Sequence, residues 1–161
     1  MAQRQIEISI GQQQLRLVEA GKQLGCWSVS TATAGAGQQQ GSGCTPLGLH
    51  RIRIKIGADQ PLNSVFVGRR PTGEIYSPNL AAAAPDRDWI LTRILWLQGL
   101  ERGYNRGRNV DTLRRYIYIH GTPDTEPMGI PASHGCIRMH NADLLSLFEQ
   151  VEQNTLVRIE A

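Results

Sequence analysis

The six residues "RIRIKI", Arg51 to Ile56, alternate a cationic side chain with isoleucine without a break. A period of two sets every isoleucine on one side of an extended chain and every cation on the other. That pattern dictates a half-buried strand, because a helix would scatter the same residues around its circumference. The alternation recurs in Ile6, Ile8 and Ile10 of "IEISI" and in Leu15 and Leu17 of "QLRLVEA". Gly11 and glutamines separate these two runs, which read as a hairpin whose return passes through "AGKQ" into "LGCWSVSTAT". In "RRYIYIHG", Ile117 and Ile119 point to one face and Tyr116, Tyr118 and His120 to the other, so that His120 ends a strand. "TLVRIE" supplies a final strand, and the chain is predicted to be mainly β.

Other stretches punctuate this pattern. "WILTRILWLQGL", Trp89 to Leu100, fits either a helical stripe through Ile90, Ile94 and Leu97 or a buried strand, and periodicity alone does not separate them. In "NADLLSLFEQVEQ", Asn141 is placed to cap a helix whose first turn Asp143 supports, with Leu144, Leu147, Phe148 and Val151 on its core face. "AGAGQQQGSG", Ala34 to Gly43, has nothing to bury and reads as a flexible connection or lid. It is no phosphate loop, since Gly43 is followed by Cys44 and Thr45 where a lysine would be required. "ERGYNRGRN" reads as a solvated turn region, its arginines running from Arg102 to Arg108.

A length of 161 residues fits one domain spanning 1–161, without an internal repeat. Apolar and charged fractions of 40% and 19% are those of a globular protein, and no run is apolar and long enough to span a membrane. The first twenty residues lack the basic stretch and continuous apolar run of a secretory signal, so a cytoplasmic location is expected, or a periplasmic one if an export signal has been removed. The net charge of +3 comes from arginines scattered among acids, which suits small anionic ligands better than nucleic acid. Three cysteines, Cys26, Cys44 and Cys136, cannot all pair within the chain and are expected to be free thiols.

"ASHGCIRMH", Ala132 to His140, concentrates the chemistry. His120, His134, Cys136 and His140 are all of zinc-ligand type, but His134 and Cys136 are one residue apart and no second tight pair exists, which argues against a metal. Nucleophilic catalysis uses the same residues more economically. A cysteine beside an imidazole can have its thiol pKa pulled below the free value of about 8.5, and Gly135 lets backbone N–H groups turn toward a reacting carbonyl. Either His120 or His134 can serve as partner; His120 is favoured, because a strand-end histidine can arrive from across a cleft. Arg138 either grips a substrate carboxylate or braces the loop through backbone carbonyls or Asp143. Tyr118, on the face of His120, is a further candidate substrate contact. Cys26 and Cys44, with no histidine nearby apart from the more distant His50, read as bystanders.

His120–Gly121 followed by "SHGCIRMHNADL" resembles the signature of the L,D-transpeptidase catalytic domain family of YkuD type. "TPLG", Thr45 to Gly48, and "VSTATAGAG" resemble further segments of that family, so the likeness covers nearly the whole chain. The resemblance implies a mainly-β, mixed barrel-like or sandwich-like sheet with a short helix after the active-site loop, and a strand at "WILTRILWL". It implies Cys136 as nucleophile, His120 as general base and the Gly121 carbonyl as the group that orients it. Ser133, His134 and Gly135 would shape the oxyanion hole, Arg138 would lie near the substrate, and no cofactor is implied. The implied substrates are peptidoglycan stem peptides or muropeptides, cleaved between the L-centre of a diamino acid and a terminal D-alanine. Without an export signal, the expectation is a cytoplasmic L,D-carboxypeptidase of peptidoglycan recycling. The alternatives are a periplasmic L,D-transpeptidase that forms crosslinks and a catalytically idle wall-fragment-binding domain.

Overall fold

The alternating segments become ten strands of one sheet in the computed structural model, which describes residues 3–161. In chain order these are β1 (Arg4–Ser9), β2 (Gln14–Glu19), β3 (Lys22–Ser28), β4 (Gly48–Ile56), β5 (Ser64–Val67), β6 (Arg70–Ile75), β7 (Ile90–Gly99), β8 (Tyr118–Thr122), β9 (Ile137–His140) and β10 (Leu156–Glu160). Helix α1 (Pro78–Ala83) lies between β6 and β7, and α2 (Asn141–Gln150) between β9 and β10. The spatial order is β3-β2-β1-β10-β4-β7-β5-β6, with β8 pairing to β7 and β9 pairing to β8 in parallel. This mixed sheet curls into a half-barrel around a core that includes Ile6, Leu15, Ile52, Leu95, Ile119, Ile137 and Val157. The expected mainly-β sheet with a short helix after the "SHGC" loop is what the chain forms.

The β1–β2 hairpin is present, with Ile10 in its turn rather than in the strand. Ala20 and Gly21 both have positive φ, the backbone of a two-residue hairpin turn, and return the chain into β3. Beyond β3, "VSTAT" forms no strand of its own. It pairs residue by residue with the active-site segment, through bridges from Ser30 to Arg138 and from Ala32 to Ser133.

"RIRIKI" is the strand its alternation requires, but its isoleucines do not share one face. The register against β7 shifts by one residue between Ile52 and Ile54, so Arg53 is a bulge. Ile52 is fully buried in the main core, while Ile54 is 36% exposed and Ile56 packs in a smaller cluster with Phe66, Ile94 and Tyr118. The slip turns Lys55 toward α2, where its Nζ donates to the carbonyls of Phe148 and Val151 at 2.7 Å each.

"WILTRILWL" is strand β7. It is buried along nearly its whole length because β4 and β5 flank one edge and β8 the other, which removes the polar face that would have shown a period of two. Its register against β8 breaks between Leu91 and Ile94, around Thr92 at φ +75°. A β-branched residue is costly there, and it is held: Thr92 Oγ1 donates to Asn141 Oδ1 at 2.6 Å and accepts the Asn63 N–H at 3.1 Å.

Asn141 is not the helix cap the sequence suggests. His140 takes that position, and Asn141 is the first residue of α2, its buried amide donating to Thr122 O, Asn63 Oδ1 and Asp124 Oδ1. Asp143 lies in the first turn as expected, and Asp124, from a distant loop, accepts the Asn141 N–H at 3.3 Å and adds a second carboxylate at the helix N-terminus. The "AGAGQQQGSG" segment is tethered rather than free, because Arg115 donates to the carbonyls of Gly37, Gln38 and Cys44.

Candidate active site

The parallel register of β8 and β9 sets His120 opposite Arg138, so Cys136, two residues before Arg138, lies diagonally from His120 on the same face. Ile119, Ile137 and Met139 take the opposite face and anchor both strands in the core. Cys136, His120, Tyr118, Arg138, Ser133 and His134 thereby line one open cleft of about 300 Å³. His120 sits at the middle of its strand rather than at the end, two residues before Thr122.

His120 is 2% exposed, and its Nδ1 lies 2.6 Å from the Gly121 carbonyl oxygen. A carbonyl only accepts, so Nδ1 carries the proton and Nε2 keeps a lone pair with no partner among the described residues. Burial lowers the imidazole pKa more than the Gly121 carbonyl raises it, so the ring rests neutral. Gly121 has no room for a side chain, because a Cβ would meet Asn141 Oδ1 and the Leu91 carbonyl.

Cys136 Sγ donates to Tyr116 O and accepts the Tyr118 N–H, each at 3.3 Å. Burial pushes its pKa up to about 11, outweighing the Tyr118 amide and the Arg138 and Arg115 charges, which favour the thiolate. The site therefore reverses the sequence expectation of a depressed thiol pKa. Neutral thiol and neutral imidazole are the resting forms at pH 7, because desolvation penalises both charged partners of the alternative ion pair.

The loop before Cys136 is fixed by hydroxyl groups. Ser133 Oγ donates to Cys136 O at 2.6 Å and accepts the Gly135 N–H at 3.2 Å, while Thr45 Oγ1 donates to Gly135 O at 2.8 Å. Gly135 is needed for its φ of +136°. Its N–H, expected to face a reacting carbonyl, is occupied by Ser133; the N–H groups of His134 and Cys136 have no acceptor among the described residues. The His134 side chain is exposed at the rim of the cleft.

Arg138 braces the loop: Nη1 donates to Ala132 O at 3.1 Å and Nη2 meets Asp88 Oδ1 at 3.2 Å, with no bond to Asp143. Tyr118 is buried, and its hydroxyl accepts from Arg69 Nη1 at 3.1 Å. His140 faces the Glu126 carbonyl at 3.1 Å. His50 lies in a separate buried site between Gly48 O and Thr112 Oγ1, at 3.0 Å from each. Cys26 and Cys44 are free thiols and do not line the cleft.

Sequence reasoning missed Thr45, Asp88, Arg69 and Arg115. Thr45 carried a signal, being the first residue of "TPLG"; the other three are brought to the cleft by tertiary structure alone.

Solved structures share this architecture. An L,D-transpeptidase from Mycobacterium smegmatis superposes with a TM-score of 0.63 at 16% identity, covering 99% of this chain and 59% of that one. An L,D-transpeptidase from Xylanimonas cellulosilytica gives 0.56 at 19% identity, covering 99% and 61%. L,D-transpeptidase 3 from Mycobacterium tuberculosis, in complex with a faropenem-derived adduct, gives 0.61 at 14% identity, again covering 99% and 61%. These likenesses establish the fold, and the chain spans about three fifths of those proteins' length. In sequence, a putative L,D-transpeptidase YkuD from Bacillus licheniformis is 44% identical over 46 residues, 29% of this chain and 28% of the relative. The model of the YkuD family, the L,D-transpeptidase catalytic domain, matches residues 3–159, nearly everything from the first strand to the last. With its half-barrel sheet and its "SHGC" loop set beside His120, the chain belongs to the YkuD family of L,D-transpeptidase catalytic domains.

Proposed function

We propose that this chain is a cysteine-dependent acyl-transfer enzyme of peptidoglycan, acting on stem peptides between the L-centre of a diamino acid and a terminal D-alanine. The observation that carries the reading is the shared cleft face of Cys136 and His120, with the Nε2 lone pair uncommitted. In the first step Cys136 Sγ attacks the carbonyl carbon as its proton passes to His120 Nε2. General-base help of this kind contributes about 10²–10⁴ in rate. The negative charge on the carbonyl oxygen falls to the free N–H groups of the loop, Cys136 foremost; such donors are worth about 10²–10³ each. Collapse breaks the C–N bond, His120 returns its proton to the departing D-alanine amine, and a Cys136 thioester remains. An acceptor then attacks the thioester as His120 takes its proton; collapse breaks the C–S bond, and His120 returns the proton to Cys136 Sγ. No cofactor enters the scheme.

The family and the relatives named above favour an amine of a second stem as acceptor, hence a crosslink, over the hydrolytic carboxypeptidase expected from sequence. On this reading the chain works where the wall is assembled rather than in the cytoplasm. The test supplies a defined tetrapeptide with and without a second stem and follows D-alanine and the masses of the peptide products. D-Alanine release with a crosslinked dimer supports transfer; tripeptide alone, even with acceptor in excess, supports the carboxypeptidase. Binding without any release supports an idle wall-fragment-binding domain.

A further inference from the structure

Three guanidinium groups line the cleft that holds Cys136, and two are committed. Arg115 donates to carbonyls of the 37–44 loop, and Arg138 to Ala132 O and Asp88. Among the described residues Arg69 has neither a carboxylate nor a carbonyl partner; its one hydrogen bond runs from Nη1 to the Tyr118 hydroxyl. It is nevertheless held in place. Its guanidinium carbon lies 4.7 Å from the Tyr116 ring centroid and 5.0 Å from that of Trp96, and Trp96 packs edge-on against Tyr118 at 5.9 Å. Gly68 and Arg69, at φ of +57° and +65°, form the two-residue turn between β5 and β6, so the hairpin carries an arginine where glycine or asparagine suits the backbone better. A stacked, unneutralised guanidinium in a reaction cleft presents its remaining donors as the planar fork that matches a carboxylate.

Tyr118 sets the spacing, since its N–H contacts Cys136 Sγ and its hydroxyl contacts Arg69. One tyrosine side chain thus separates the cation from the sulfur. A peptide advances about 3.3–3.6 Å per residue, so a carboxylate at Arg69 belongs to a residue next to, or one beyond, the carbonyl at Cys136. We propose that Arg69 is a carboxylate-recognition site that reads the free α-carboxylate of the leaving amino acid. The placement of the attacked carbonyl rests on the acyl-transfer reading above.

The experiment compares a tetrapeptide with its C-terminal amide in the wild type, Arg69→Gln and Arg69→Lys. The kcat/KM ratio of acid to amide is expected to be roughly 10- to 100-fold in the wild type, carried mainly by KM. It is expected to fall near one in Arg69→Gln and to recover in part in Arg69→Lys. Calorimetric binding of both peptides to Cys136→Ala, with and without Arg69→Gln, separates this proposal from the acyl-transfer reading. An Arg69-dependent preference for the acid in binding, with no thioester in the wild type, upholds the carboxylate site and removes the acyl transfer. Thioester formation with the acid-to-amide ratio unmoved by Arg69→Gln overturns the carboxylate site alone, as does the absence of any preference for the acid in both binding and turnover.

Discussion

Desolvation holds the half-buried Cys136 thiol at about 11, and the more deeply buried His120 rests neutral on the same cleft face. Alkylation of Cys136 by iodoacetamide is therefore expected to accelerate about tenfold per pH unit from pH 7 to 10, as the thiolate fraction grows. A plateau reached by pH 8 would contradict a raised pKa. The rate of D-alanine release is expected to fall on the acid side, below the ordinary histidine value of 6.5, as His120 takes a proton on Nε2 and ceases to be a base. Residue types and spacing made the cysteine, the histidine and the loop legible in the sequence. The protonation states were not, because they depend on burial, and burial of Cys136 depends on strands far from it in the chain. Arg138 left two roles open for a related reason: sequence shows a cation near the nucleophile but not Asp88, fifty residues earlier, which partly neutralises it.

At the scale of elements, two register slips carry what alternation alone could not convey. The bulge at Arg53 sends Lys55 to the C-terminal end of α2, a helix with no basic residue in its last turn, where the ammonium meets two carbonyls. Lys55→Met is expected to cost about 1–3 kcal/mol in urea unfolding while D-alanine release is retained, since charged donors to helix-end carbonyls are worth that much. The slip around Thr92 brings Asn141 against Gly121 and so places the carbonyl that orients His120. Gly121→Ala forces a methyl group against Asn141 and the Leu91 carbonyl and is expected to destabilise by about 1–3 kcal/mol. An unchanged unfolding midpoint would mean that the two strands give way there at no cost. The hairpins, the core face of α2 and the final strand were readable because local pattern decides them. Asn141 was misread as a cap because its partners, Thr92, Asn63 and Asp124, come from three other segments.

Over the whole molecule, His50 couples stability to pH. Buried between Gly48 and Thr112, it has its pKa lowered to about 4 by desolvation, whereas the unfolded chain protonates it near 6.5. Its contribution is complete above 6.5 and is lost as pH falls toward 4, so going from pH 7.5 to 5 costs ~2 kcal/mol through this residue. His120, also lowered, adds a loss of the same sign. His50→Gln keeps a donor and an acceptor in the site and is expected to flatten the pH dependence of the urea midpoint; an undiminished slope would assign it elsewhere. The half-barrel also brings Cys136 and His120 onto one face of a single cleft, the placement on which the proposed covalent chemistry through the sulfur rests. Intact-protein mass spectrometry after mixing with a defined tetrapeptide tests it most directly. The expected result is a mass gain equal to the acyl portion without its D-alanine, mapped to Cys136, accumulating less in His120→Ala and absent in Cys136→Ala. D-Alanine release undiminished in Cys136→Ala, or an acyl group mapped to another residue, would contradict it.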